Sequence, residues 1–135
     1  MCVEQAMEDS KRILVVEDYK PMVGAIASIL EMNGYAVLTA TNGVEALQVM
    51  EDTVPDLIIA DILMPEMDGY AFYHEVKKRS EWRSIPFVFL TSMAEREDIQ
   101  KGRDLGISSY ITKPFDPEDL LAAAREGLDA APPEA

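Results

Sequence analysis

The sequence predicts a single α/β domain, a doubly wound five-stranded parallel sheet with helices on both faces. Short apolar runs alternate with segments whose apolar residues recur at helical spacing, five of each kind. This alternation is typical of parallel strands joined by right-handed crossover helices. The length of 135 residues allows one domain with a core, and 48% hydrophobic and 27% charged residues are ordinary for a globular protein.

The strands are predicted from short runs rich in β-branched residues, each bounded by turn residues. Such runs are too short for buried helices and are typical of strands covered on both faces. In chain order, the predicted strands occupy residues 12–16, 35–39, 57–60, 86–90 and 109–112.

The helices are predicted from apolar spacing and from their end signals. Asn33-Gly34 ends the first helix, and the cations at 77–79 suit the dipole of the last turn of the third. Asp116-Pro117 begins the last, with Asp as the cap and Pro at the first helical position. The apolar positions that mark the five helices lie within 22–30, 46–50, 72–76, 95–105 and 120–128.

The two ends of the chain are predicted to lie outside this domain. Residues 1–10 are polar and acidic without a period, so we expect a flexible tail before a domain at 11–129. The Pro-Pro pair within 130–135 cannot continue a helix, so this segment is predicted to be a tail or the start of a linker.

Charge and composition limit the classes of partner. The formal net charge is −13, so the surface repels phosphate backbones, and we expect no direct nucleic-acid binding. Cys2 is the single cysteine and cannot form an internal disulfide, which fits a reducing compartment. No signal peptide and no apolar run of membrane-spanning length is apparent. We therefore expect a cytoplasmic protein without membrane contact.

Four of the predicted strands are followed by residues with reactive or charged side chains: Glu17-Asp18, Asp61, Thr91 and Lys113. The carboxyl ends of parallel strands meet at one edge of a sheet, so we expect these side chains to converge there. Clustered carboxylates repel one another unless a cation lies among them, and oxygen ligands suit Mg²⁺, with Mn²⁺ as an alternative. A carboxylate beside such an ion can attack phosphorus, while a lysine and a hydroxyl bind the phosphoryl oxygens.

Four sequence blocks stand in order at these strand ends: Glu17-Asp18; Asp61 with Met64-Pro65 and Met67-Asp68-Gly69; Leu90-Thr91-Ser92; and Tyr110-Ile-Thr-Lys113-Pro114-Phe115. Together they resemble the signature of response-regulator receiver domains of two-component signalling, over roughly residues 11–129. The family has a flavodoxin-like fold and includes chemotaxis regulators, so the resemblance implies the strand order 2-1-3-4-5.

The resemblance also implies the reaction and the ligands. Asp61 would be the phosphoacceptor, taking a phosphoryl group from a phosphohistidine on a sensor kinase or phosphotransfer protein. Lys113 would bridge to the acyl phosphate, with a cis bond to Pro114 that aims the lysine into the pocket. The implied Mg²⁺ ligands are the side chains of Asp18 and Asp61, the backbone carbonyl of Leu63 and, mainly through water, Glu17.

The same resemblance implies a switch. Thr91 would move toward the phosphoryl group, and Tyr110 would then turn inward. This would change the surface formed by helix 95–105, the last strand and the last helix, and thereby control a downstream partner or a fused output domain. Homodimerisation is left open. The only chemistry implied is autocatalysed phosphotransfer and self-dephosphorylation, so we do not expect a conventional enzyme.

Three positions depart from the usual family pattern. Glu17 stands where Asp is more common, and its carboxylate is expected to preserve metal binding. Leu63 and Met93 stand where relatives often carry polar groups beside the path of the hydrolytic water. Our hypothesis is that these apolar side chains slow dephosphorylation, because they exclude or misplace that water.

Other interpretations stay open at the level of sequence. The acids could be ordinary turn or capping residues, Thr91 a helix cap and Tyr110 a packed aromatic. A second functional class is a phosphorylation-independent, receiver-like interaction scaffold. A third is an aspartyl-phosphate phosphatase, but its Asp-x-Asp motif is absent, because Tyr19-Lys20 follows the first acids. Tyr70 and Tyr73 receive no role.

Overall fold

The strands form one parallel sheet in the computed structural model, which describes residues 10–64, 67–92, 100 and 109–129. The order across the sheet is β2-β1-β3-β4-β5, and every pairing is parallel. The predicted fold class and strand order are therefore confirmed. The strands are β1 (Arg12–Val16), β2 (Ala36–Ala40), β3 (Leu57–Asp61), β4 (Phe87–Ser92) and β5 (Tyr110–Lys113).

Four helices lie within the described residues, and each follows a predicted apolar pattern. Apart from residue 100, the predicted helix 95–105 falls outside the described residues, as do residues 1–9 and 130–135 of the two predicted tails. The helices are α1 (Lys20–Met32), α2 (Gly43–Asp52), α3 (Gly69–Lys77) and α4 (Pro117–Asp129).

Element ends follow local hydrogen bonding. The backbone N–H of Tyr35 donates to the carbonyl of Leu30 at the end of α1, so β2 begins one residue later than predicted. Gly34 adopts a φ of 93°, which lets the chain leave α1 as the Asn33-Gly34 signal predicted. At the start of α3 the Asp68 carboxylate accepts the N–H of Ala71 at 2.8 Å, which satisfies an otherwise unpaired donor.

Apolar side chains fill both faces of the sheet. One core lies between the sheet and helices α2 and α3, and the other lies between the sheet and helices α1 and α4. Because β3 is buried along its whole length, neither of its faces is available to solvent. The largest fully buried side chains are Phe72, Phe89, Ile13, Leu14, Ile26, Leu30, Met50, Leu57, Ile58, Ile59, Ile62 and Leu90.

The end of α3 is fixed by contacts that the sequence did not reveal. Arg79 makes two hydrogen bonds to the Glu51 carboxylate of α2, at 2.7 and 3.3 Å. Its guanidinium also lies 3.9 Å from the ring centre of Trp82, which is buried. Lys77, predicted only to suit the helix dipole, donates to the carbonyls of Arg83 at 2.7 Å and Ile85 at 2.9 Å. These bonds tie α3 to the segment that leads into β4.

Candidate functional site

The carboxyl edge of the sheet brings Glu17, Asp61 and Lys113 into direct contact. The Lys113 ammonium donates to Oδ2 of Asp61 at 2.7 Å and to Oε1 of Glu17 at 3.0 Å. Glu17 directly follows β1, whereas Asp61 and Lys113 are the last residues of β3 and β5. Residues 52 and 96 positions apart are therefore joined by the parallel order of the strands.

Three carboxylates form a cluster at this edge. Glu17, Asp18 and Asp61 each offer an oxygen, and these oxygens all lie within 4.8 Å of one another. Glu17 and Asp61 are buried, at 1% and 5% exposure, while Asp18 is open to solvent. The single ammonium of Lys113 leaves two negative charges uncompensated when all three acids are ionised. An all-oxygen donor set with a solvent-facing side fits a divalent cation such as Mg²⁺, which retains water ligands.

Burial and crowding change the proton affinity of the site. Desolvation of Glu17 and its contact with Asp61 raise the pKa of Glu17 to about 7, although the Tyr19 N–H and Lys113 oppose the shift. Burial alone would lower the pKa of Lys113, but its hydrogen bonds to Asp61 and Glu17 outweigh that effect and raise it. Lys113 is therefore held as a cation between the two acids.

Thr91, Leu63 and Pro114, which were also predicted to belong to the site, lie on the same edge of the sheet. Thr91 is fully buried in β4, one residue beyond the Leu90 that pairs with Asp61 in the sheet. The backbone N–H of Leu63 donates to Oδ1 of Asp61 at 3.2 Å, while its side chain is 55% exposed. The peptide bond between Lys113 and Pro114 is cis, as the resemblance implied. The predicted residues Met93 and Pro65 lie outside the described residues.

Gly69 lets α3 begin against the strand that carries the acceptor. Its backbone N–H donates to the carbonyl of Ile62 at 2.7 Å. A Cβ atom at this position would lie 2.5 Å from the carbonyl oxygen of Asp61 and 2.9 Å from the Cα of Ile62. Only glycine allows so close an approach, which explains on steric grounds why the motif has glycine at position 69.

One residue of this region was missed by sequence reasoning. Tyr70 is buried, and its hydroxyl oxygen lies 3.3 Å from that of Tyr110, the predicted switch residue. The position after Gly69 carried no local signal for this contact, because the partner lies 40 positions away. His74, in contrast, is exposed on α3.

A protein-family model described as the response regulator receiver domain matches residues 13–125, most of the chain. This chain is a member of that family. Its role is therefore that of a response-regulator receiver domain of two-component systems. Receiver domains generally bind Mg²⁺ through acidic residues and interact with histidine kinases and output domains, and the carboxylate cluster is the matching feature here.

Individual relatives agree with this assignment. PilG of Pseudomonas aeruginosa is 34% identical over 129 residues, which cover 96% of each chain. The phosphate regulon transcriptional regulatory protein PhoB of Escherichia coli K12 is 39% identical over 113 residues, covering 84% of this chain and 49% of PhoB. This chain spans about half the length of PhoB and of several other curated relatives that it matches.

A solved structure gives the same result for the fold. The chemotaxis protein CheY4 of Vibrio cholerae superposes with a TM-score of 0.82 at 33% identity, covering 88% of this chain and 99% of that one. Among the described residues, no helix is both long enough and apolar enough to cross a bilayer.

Proposed function

We propose that this chain is the phosphoacceptor receiver of a two-component phosphorelay, with Asp61 as the acceptor. The observation that carries the proposal is the direct contact of one lysine with two buried carboxylates beside a third, solvent-facing one. Buried acids of this kind are costly to maintain for folding alone. A reversible phosphoryl site gives each of the groups a use.

Divalent metal binding is part of the proposal. Asp18 and Asp61 would hold Mg²⁺, or Mn²⁺, through their side chains, Leu63 through its backbone carbonyl and Glu17 mainly through water. When bound, the cation neutralises negative charge on the incoming phosphoryl group. The motif match over the acids, together with their mutual distances, supports this set.

The transfer step is a displacement at phosphorus. A carboxylate oxygen of Asp61 forms a bond to phosphorus while the phosphorus–nitrogen bond of the donor phosphohistidine breaks, and its electron pair stays on the imidazole. Lys113, already paired with Asp61 and Glu17, supplies a compact positive charge for the phosphoryl oxygens. The Thr91 hydroxyl binds another of these oxygens.

Dephosphorylation is a second displacement at phosphorus, with water as the nucleophile and the Asp61 carboxylate as the leaving group. Water attacks phosphorus, the bond to the Asp61 oxygen breaks, and inorganic phosphate leaves with a regenerated carboxylate. The chain thus catalyses only its own phosphorylation and dephosphorylation and is not a conventional enzyme. Its donors would be a sensor histidine kinase or a histidine phosphotransfer protein.

The proposed output of phosphorylation is a change in the surface that the domain presents to its partners. Movement of Thr91 would let Tyr110 turn inward and alter the surface of the predicted helix 95–105, β5 and α4, which would control a downstream protein or a fused output domain. PhoB, named a transcriptional regulatory protein, is about twice as long as the matched region. With a net charge of −13 this chain is proposed to make no direct nucleic-acid or membrane contact and to act in the cytoplasm, whether as a monomer or as a homodimer.

Intact-mass spectrometry tests the proposal directly. The protein is incubated with Mg²⁺ and acetyl phosphate, and we expect the mass of one phosphoryl group to be gained. Asp61→Asn should gain none, whereas the control Asp52→Asn, at the exposed end of α2, should behave like wild type.

The result also separates the alternative classes. Absence of any gain from acetyl phosphate and from a competent kinase, with no NMR response to beryllofluoride, would favour the interaction scaffold. An equal gain in Asp61→Asn would contradict the acceptor assignment. Catalytic turnover of a phosphomonoester would instead indicate a phosphatase.

A further inference from the structure

Two tyrosines from different elements share a hydroxyl contact on one face of the sheet. Tyr70 is the second residue of α3 and Tyr110 the first of β5, and their hydroxyl oxygens are 3.3 Å apart. The ring of Tyr70 meets Phe89 edge-on at 5.1 Å, and the ring of Tyr110 stacks on the same phenylalanine at 6.1 Å. The buried Tyr70 is thus fixed against β4 with its hydroxyl directed at Tyr110.

The same part of α3 is in contact with the acceptor. Gly69, the residue before Tyr70, packs its backbone against the carbonyl of Asp61 and donates to the carbonyl of Ile62 at 2.7 Å. There is no room for a side chain between them. A displacement of the backbone at Asp61 would therefore move Gly69 and, with it, the adjoining Tyr70. The path from Asp61 through Gly69 and Tyr70 to Tyr110 does not include Thr91.

The hydroxyl contact belongs to the unmodified form of the acceptor. In the same structure Oδ2 of Asp61 is paired directly with Lys113 at 2.7 Å, an arrangement that a free carboxylate makes. Tyr110 also lines a groove between β5 and α4, together with Pro114 and Asp119.

We propose that Tyr70 is a positioning residue for Tyr110, whose ring it holds in the conformation of the unmodified protein. The inference rests on the proposed function, in which Tyr110 is the switch. A contact made in one state and lost in the other shifts the balance between them by its differential free energy. Loss of the Tyr70 hydroxyl therefore favours the activated state by about two- to tenfold, the usual net effect of one hydrogen bond.

A beryllofluoride titration in Mg²⁺, followed by backbone amide NMR, tests this role. Tyr70→Phe keeps the ring on Phe89 and removes only the hydroxyl. We expect this variant to reach half-saturation at a beryllofluoride concentration about two- to tenfold lower than wild type, because one hydrogen bond has a net effect of about this size. Tyr35→Phe is the control, because it removes a tyrosine hydroxyl on the opposite face of the sheet and leaves the Tyr70–Tyr110 pair intact. Its half-saturation should equal that of wild type.

Two further measurements separate positioning from simple packing. Without beryllofluoride, the Tyr110 ring resonances of Tyr70→Phe should move toward their saturated positions, whereas those of Tyr35→Phe should not. In the double variant with Tyr110→Phe, the effects should be non-additive, since both changes remove one and the same contact.

The outcomes are distinct. Unchanged or weaker beryllofluoride binding by Tyr70→Phe, or a Tyr110 resonance that stays at its wild-type position, would overturn the positioning role while leaving phosphorylation at Asp61 intact. A wild-type protein that neither binds beryllofluoride nor gains a phosphoryl group would overturn the proposed function and this inference with it.

Discussion

Leu63 places an apolar side chain next to the acceptor. Its backbone is held to Asp61 by a hydrogen bond of 3.2 Å, so the position of the residue is tied to the reacting group. Its side chain is 55% exposed and therefore lies where solvent meets the site. A side chain without hydrogen-bonding groups cannot orient a hydrolytic water.

We predict that Leu63→Asn shortens the lifetime of the phosphorylated protein. A polar group that orients the water and lowers the barrier by about 1.4 kcal/mol would accelerate dephosphorylation about tenfold. The decay of the phosphorylated mass after removal of the phosphodonor measures this rate. Val54→Asn, at an exposed apolar position before β3, serves as the control and should leave the decay unchanged. If phosphorylated Leu63→Asn loses its phosphoryl group at the wild-type rate, the hypothesis is refuted for this position. Met93, the second residue of the hypothesis, lies outside the described residues.

At the level of elements, two helices depend on glycine in opposite ways. Gly69 at the start of α3 has backbone atoms of Asp61 and Ile62 within 3 Å of where a Cβ would stand. Gly24, inside α1, has nothing within 4 Å of the same position. One glycine is therefore required by packing, whereas the other only weakens its helix.

We predict opposite effects of alanine at these two positions. Gly24→Ala should stabilise the protein by up to about 1 kcal/mol, the difference in helix propensity. Gly69→Ala should destabilise it by about 1–3 kcal/mol through overpacking, and should slow phosphorylation because α3 is pushed away from Asp61. Urea denaturation gives the free energies of unfolding, with Gly24→Ala as the control for the substitution itself. A Gly69→Ala protein with wild-type stability and phosphorylation rate would contradict the steric account.

The elements themselves were largely predictable because their signals are local. Apolar spacing and the Asn33-Gly34 signal predicted α1, and the parallel order of the strands followed from the family resemblance. The convergence of Asp61 and Lys113 followed from the rule that parallel strands end at one edge. Tyr70 and Lys77 could not be predicted in this way, since their contacts depend on residues from other segments. Helical spacing identifies a face of a helix but not which side chain of another strand will meet it.

At the scale of the whole molecule, the chain carries an excess of acidic residues, and one of them, Glu17, is buried. The net charge is −13, and Glu17 is only 1% exposed with a pKa raised to about 7. In the unfolded chain this carboxyl releases its proton near 4.5. Between these two pH values the folded protein binds the extra proton, so its stability falls as the pH rises.

We predict that the metal-free protein loses stability between about pH 4.5 and pH 7 through Glu17. A pKa difference of this size corresponds to a loss on the order of 3 kcal/mol. Urea denaturation in a chelator at several pH values measures it, with the Glu17→Gln variant subtracted to remove the contribution of other groups. Glu31→Gln, an exposed glutamate on α1, should retain the wild-type slope. Identical slopes for wild type and Glu17→Gln would show that Glu17 does not titrate in this way.

The single tryptophan, Trp82, provides an intrinsic fluorescence probe of the folded protein. Trp82 is buried beneath the Arg79 guanidinium, in the segment that follows α3 and leads into β4, at the opposite end of that helix from Gly69. Its emission reports whether this region is intact, without a fluorophore placed on the acidic edge. Intrinsic fluorescence can therefore record unfolding separately from events at the phosphoryl site, which the tyrosine resonances report.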